Sequence, residues 1–180
     1  SLTDVTGVQT CALPIFAIAA VADMTTEAAI AWALPGARAV VAERHRLAQD
    51  DASRLSAEAE VRIDAGEVVL HRGSDGTNAT GYAMILDERG RDDPITFVVA
   101  LTPAGAIRDL EVVTYRARHG DGIRDREFLD QFRGRDDPMR LEVGAGIDAV
   151  SGATISSRAA ARAARRALAV VRHLHPPRGP

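Results

Sequence analysis

A chain of 180 residues, 46% of them hydrophobic and 26% charged, has the material for one folded domain with its own core. A formal charge of -3 gives no long-range attraction to nucleic acid or to an anionic membrane, and no stretch is long and apolar enough to span a bilayer. The single cysteine, Cys11, lies near the N-terminus, so disulfides, zinc thiolate sites, iron–sulfur clusters and a cysteine nucleophile are excluded from the remainder.

Val5-Thr6-Gly7-Val8-Gln9-Thr10-Cys11-Ala12-Leu13-Pro14-Ile15 resembles the in-frame translation of a sequencing adapter. Residues 1–15 are therefore expected to be an assembly artefact and are excluded from fold reasoning. Residues 16–23 read as the remnant of a signal-peptide apolar region, with Ala20-Val21-Ala22 in the small-x-small form of a cleavage site. All 22 basic residues are arginine, and with heavy Ala, Gly and Asp usage this reflects GC-rich bacterial codons rather than chemistry. Aromatic content of 4% predicts an aliphatic, alanine-rich core.

Met24 to Leu34 reads as a helix, capped by Thr25 or Thr26 and stopped by Pro35-Gly36. Ala37 to Ala42 is a strand or a linker, and Leu47 to Ala59 a second helix. Val61-Arg62-Ile63 and Glu67 to Leu70 read as strands, followed by a turn at Gly73-Ser74-Asp75-Gly76. Ala79 to Leu86 and Ile95 to Leu101 are strands separated by an Asp87-Glu88-Arg89-Gly90 turn. Thr102-Pro103-Ala104-Gly105 returns the chain into a strand over Ile107 to Tyr115. Arg124 to Phe132 reads as a helix, Leu141-Glu142-Val143 as a short strand, and Thr154 to His173 as the last helix. This order predicts an α+β fold: an antiparallel meander with flanking helices in one domain. There is no βαβ alternation and no Gly-x-Gly-x-x-Gly unit for a Rossmann site, nor a nucleophile elbow for a serine hydrolase.

The segment with most chemical content is Asp148-Ala149-Val150-Ser151-Gly152-Ala153-Thr154, directly before the last helix. Gly152 and Ala153 have no bulk, so a large group can approach the backbone. Ser151, Ser156 and Ser157 offer hydroxyl donors, and the helix start adds N–H groups that welcome a phosphate. Taken on physical grounds alone, a plain capping loop accounts for the same residues, because Ser and Thr favour helix starts.

The segment resembles the flavinylation motif of the FMN-binding domain family, Asp-x-x-Ser/Thr-Gly-Ala-Thr. The resemblance extends to Gly81-Tyr82, the Ile95–Tyr115 hairpin, Tyr115-Arg116-x-x-x-Gly120, Phe128-Leu129-x-Gln131-Phe132-x-Gly134 and Ile147-Asp148, over residues 24–174. That family includes the G subunit of Rnf complexes, the C subunit of the sodium-pumping NADH:quinone oxidoreductase and NosR-like proteins.

The resemblance implies FMN joined through its phosphate to Thr154, within a recognised loop of Ser151, Gly152, Ala153 and Asp148, with Gly120 approaching the flavin. It implies that a separate Mg-dependent flavin transferase attaches the group from FAD. The chain would be a non-enzymatic electron carrier exchanging electrons with a membrane redox complex. Its expected location is extracytoplasmic, periplasmic or on the cell-surface side of the inner membrane, with an anchor in a missing N-terminal segment. Alternatives are the flavin-bearing domain of a reductase whose substrate site lies elsewhere, and a sensor module that has lost flavin. Ala117 stands where relatives often carry a glutamate, while Arg116 and Arg118 are candidates to stabilise a reduced flavin.

No catalytic residue, metal ligand or nucleic-acid partner is expected. His173-x-His175 reads as favourable charge at a helix C-terminus rather than a metal pair. Asp92-Asp93 and Asp136-Asp137 read as turn acids. Arg158, Arg162, Arg165 and Arg166 read as a solvated face opposite Ile155, Leu168 and Val171. His175 and the residues after it, 175–180, form a tail expected to fray.

Overall fold

The computed structural model describes residues 23–116 and 120–177. The expectations for residues 1–22, for Ala117, Arg118 and for the last three residues lie outside them. In chain order the elements are α1 (Thr26–Ala33), β1 (Ala39–Leu47), α2 (Gln49–Ala59), β2 (Gly66–Ser74), β3 (Ala79–Arg89), β4 (Pro94–Leu101), β5 (Ile107–Thr114), α3 (Arg126–Leu129) and α4 (Thr154–Leu174). The strands form one antiparallel sheet in the order β1-β2-β3-β4-β5. This is the α+β meander that the sequence predicts.

Both faces of the sheet are covered, and β4 shows it most plainly. Its side chains alternate between faces, as the period of a strand requires. Phe97, Val99 and Leu101 enter the larger core with α2 and α4, while Val98 and Ala100 meet Ala29, Ala33 and Leu34 of the α1 segment. Val99 stands opposite Met84 on β3 and Leu110 on β5, which fixes the register at the centre of the sheet. The alanines 159, 160, 163, 164 and 167 of α4 are fully buried, and their small side chains let the helix lie close to the strands.

Local chemistry explains the helix ends. Thr25 Oγ1 accepts the Ala28 N–H at 3.1 Å and starts α1. At its far end Arg108 reaches across from β5 and donates to the Ala33 carbonyl at 2.6 Å. That contact satisfies one of the last-turn acceptors the helix cannot satisfy itself.

Several expectations are corrected. β1 runs on through Glu43-Arg44-His45-Arg46 to Leu47, because an edge strand with one open side tolerates a polar stretch. Val61 and Ile63 are buried in a loop rather than a strand, where the Ile63 N–H bonds Ser56 Oγ. β3 continues through Asp87, Glu88 and Arg89, so its turn moves to residues 90–93. The helix expected over Arg124 to Phe132 is one α-turn between two short 3-10 turns. Residues 141–143 contribute only an isolated bridge between Val143 and Ile147.

The arginine face of α4 is not merely solvated. Glu88 is buried, and Arg162 Nε bonds one of its oxygens at 2.9 Å while Arg166 Nη1 lies 3.0 Å from the other. Arg165, itself buried, donates to the Pro138 carbonyl at 3.0 Å and pairs with Glu60 at 3.3 Å. These residues pin α4 to the end of β3, to the end of α2 and to the loop before α4.

Candidate functional site

The Asp148–Thr154 loop is held from two sides. Gln131, in the turn after α3, accepts the Asp148 N–H at 2.7 Å and donates to the Asp148 carbonyl at 3.3 Å. Ser157 Oγ accepts the Val150 N–H at 3.1 Å and donates to the Ala153 carbonyl at 3.0 Å. Between these anchors Ser151 and Gly152 form an exposed turn, with Gly152 in the left-handed region at φ 75°. The Gln131 that stood out only as a letter in the sequence pattern thus clamps the backbone of the motif.

The turn delivers Thr154 to the first position of α4. Ala153 occupies the cap and has no side chain to close it. The N–H groups of Thr154, Ile155 and Ser156 find no acceptor among the described residues, and the first turn holds no acidic residue. Thr154 is exposed, and its hydroxyl makes no hydrogen bond with the described residues. Partial positive charge and unmet donors therefore gather around an accessible hydroxyl.

Thr154 lines a cleft of about 500 Å³ with Gly152, Ala153, Ile155, Ser156, Tyr115, Arg91 and Asp92. That volume lies within the range of small-molecule sites. Ile155, expected on the buried face, is 46% exposed. At roughly 100° per residue, the thirteen positions between it and Leu168 place the two about 140° apart around the helix. With Tyr115, Ile155 gives the cleft an apolar wall.

Gly120 sits behind this wall. A Cβ there would lie 2.7 Å from the Tyr115 hydroxyl oxygen, 3.2 Å from Ala153 Cβ and 3.4 Å from Ser156 Oγ. The glycine has φ 94°, so both its backbone and its contacts exclude a side chain. It lets the segment after β5 pack onto the loop. Tyr115 and Ser156 hydroxyls lie 3.1 Å apart at the same place.

Not all predicted residues converge. Gly152, Ala153 and Thr154 share the cleft, and Gly120 backs it. Asp148 is exposed in a neighbouring cleft of about 380 Å³ with Gln131, Asp125 and Glu127. Ser156 and Ser157 are buried, because the third and fourth positions of α4 turn toward the core. Ser157 supports the loop, Ser156 contributes to the cleft lining beside the Tyr115 hydroxyl, and Ser151 is the exposed serine of the three. Arg116 is exposed and is absent from the cleft lining, whereas Arg91 and Asp92 line it. Sequence reasoning missed these two as site residues. They sit in a β-turn whose composition carries no signal beyond a turn, and only the β3–β4 register brings them to α4.

Comparison with known proteins places this geometry. The family model described as the FMN-binding domain matches residues 90–169, from the β3–β4 turn into α4. Among solved structures, NqrC of Shewanella oneidensis is similar at 22% identity and a TM-score of 0.45, over 59% of this chain and 58% of that one. The chain thus spans less than two thirds of that protein's length. No curated protein matches. The matched segment contains the cleft, its arginine and aspartate, the clamped loop and the exposed threonine: over residues 90–169 the chain carries an FMN-binding domain.

Proposed function

We propose that the domain is an electron carrier holding FMN as a phosphoester on Thr154 Oγ1. The observation that carries this reading is an exposed Thr154 hydroxyl, at an uncapped helix start, opening on a cleft of about 500 Å³ inside the matched segment. The residues fit the group. Thr154 offers the oxygen for the ester, the first-turn N–H groups of α4 and Arg91 suit a phosphate, and Tyr115 and Ile155 offer apolar surface to a flat ring. When bound, FMN supplies the redox chemistry, and the protein supplies orientation and electrostatics.

A threonine hydroxyl is a poor nucleophile until a base or metal takes its proton. Among the described residues that line the cleft there is no histidine, lysine or cysteine. In this reading a separate Mg-dependent flavin transferase attaches the group. The Thr154 oxygen would displace AMP from FAD, forming the ester to FMN and losing its proton. The exposed turn at Ser151-Gly152 and the exposed Asp148 give such an enzyme a backbone it can reach. We assign the carrier to a membrane redox complex on the extracytoplasmic side. No helix among the described residues is long and apolar enough to cross a membrane.

Co-expression with an active flavin transferase, followed by mass spectrometry of the Thr154 peptide, tests the proposal. The expected result is a peptide heavier by one FMN less one water, retained by Thr154→Ser and absent from Thr154→Ala. An unmodified wild-type peptide, with the transferase shown active on a control substrate, would overturn it.

A further inference from the structure

The C-terminal end of α4 carries a second constellation that the flavin reading does not use. Glu43 and His45 are two residues apart on β1, so both side chains leave the same face of that edge strand. His175, which ends α4, reaches the same place. Its Nε2 lies 2.8 Å from Glu43 Oε2, and His45 Nε2 lies 3.3 Å from that same oxygen. One ligand atom from each of the three residues falls within 4.8 Å of the others. Ligand atoms around a tetrahedral zinc ion stand roughly 3.3 Å apart, given bonds of about 2.0–2.1 Å. The three atoms are therefore within about 1.5 Å of ligating separations.

The neighbours hold this geometry. Arg72 Nε donates to the other carboxylate oxygen, Glu43 Oε1, at 2.6 Å, which orients the carboxylate and leaves Oε2 to the imidazoles. Tyr82 stacks on the His175 ring at 4.6 Å between centroids, and His45 stands edge-on to it at 6.1 Å. Each ligand side chain is partly open to solvent, and Glu43 and His175 border an open cleft. An ion can enter, and a water can complete its coordination.

We propose that Glu43, His45 and His175 bind a divalent first-row transition ion, zinc above all, and that the ion clips the C-terminal end of α4 to the sheet edge. Two imidazole nitrogens and a carboxylate oxygen are the donor set such ions prefer. The site lies at the other end of a 21-residue helix from Thr154, roughly 30 Å of axial length away, so it is separate from flavin attachment. Arg72 from β2 and Tyr82 from β3 are the other groups facing the ion, and the Arg72 charge moderates its affinity.

Calorimetric titration of tag-free, flavin-free protein with zinc chloride tests the site. We expect saturation at one ion per chain at neutral pH, a raised melting temperature, and at least ~10-fold weaker binding for His45→Ala and for His175→Ala. His173→Ala should bind as wild type, since its ring lies beside Asp51 and Arg54 instead. Should the alanine variants lose their circular dichroism, His45→Asn and His175→Asn keep polarity and shape and serve in their place. Absence of saturable binding, or wild-type affinity in the His45 and His175 variants, would overturn the proposal.

Discussion

The two ends of α4 are built on opposite principles. At the C-terminal end the chain supplies partners. Arg172 donates to the Asp136 carbonyl, the His175 N–H bonds the Val171 carbonyl at 2.7 Å, and the His175 ring meets Glu43 and Tyr82. Arg172 adds positive charge where the helix dipole is negative. At the N-terminal end the cap is an alanine, the first turn has no acid, and Thr154 and Ile155 face solvent. One end secures the helix, and the other leaves donors unmet around a hydroxyl. The open end is the one to which the proposed function assigns the ligand.

The open end should nevertheless be rigid beneath its surface, and Gly120→Val is the strongest way to break that. A β-branched residue at φ 94° pays the left-handed penalty, and its Cβ falls 2.7 Å from the Tyr115 hydroxyl. We expect a loss of about 2–5 kcal/mol in urea unfolding. Unchanged stability would mean that the segment around Gly120 does not pack onto the loop. Ser157→Ala comes next. It removes the acceptor of the Val150 N–H and a donor to the Ala153 carbonyl at a fully buried position. The expected cost is about 1–3 kcal/mol, with flavin loading reduced as the loop loosens. Gln131→Ala, which frees only the Asp148 side of the same loop, provides the comparison.

The open end was more legible in the sequence than the closed one, and the reason is range. The motif, its turn and the start of α4 are contiguous, so Thr154 could be placed at a helix start from local pattern alone. The β4–β5 hairpin was equally plain, with Thr102 to Gly105 between two apolar runs. The partners that secure the helix are far apart in sequence: Arg162 finds Glu88 across 74 positions and His175 finds Glu43 across 132. No local pattern marks such pairs, so the arginines looked like a solvated face and the histidines like simple terminal charge. The same limit hid Arg91 and Asp92 from the cleft. Ser157 lies away from the cleft for a different reason. A hydroxyl near a helix start suggests capping or ligand contact, but helical rotation turns this one inward onto the loop backbone.

Acidification sharpens the comparison from the closed end. Burial alone would raise the Glu43 carboxyl, but hydrogen bonds from Arg72, His175 and His45 outweigh it and hold the group below its ordinary 4.5. A carboxyl lowered in the folded state contributes stability above its unfolded pKa and loses it as pH falls through the folded value. Wild-type melting temperature should therefore fall below pH 4.5 more steeply than that of Glu43→Gln. Parallel profiles would show that the cluster contributes nothing to holding the helix end. The metal-free protein is the form to measure, so that proton and ion effects stay apart.

The smallest stability effect should belong to the residue proposed to carry the flavin. Thr154 is exposed, caps nothing and bonds none of the described residues, so Thr154→Ala removes no packing and no partner. Alanine is also the better helix former at that position. We expect unfolding free energy within about 0.5 kcal/mol of wild type in the flavin-free protein, as for other surface substitutions. A loss beyond about 1 kcal/mol would mean that the hydroxyl serves the fold, as a capping residue does. The open end would then resemble the closed one, its threonine already spent on the helix.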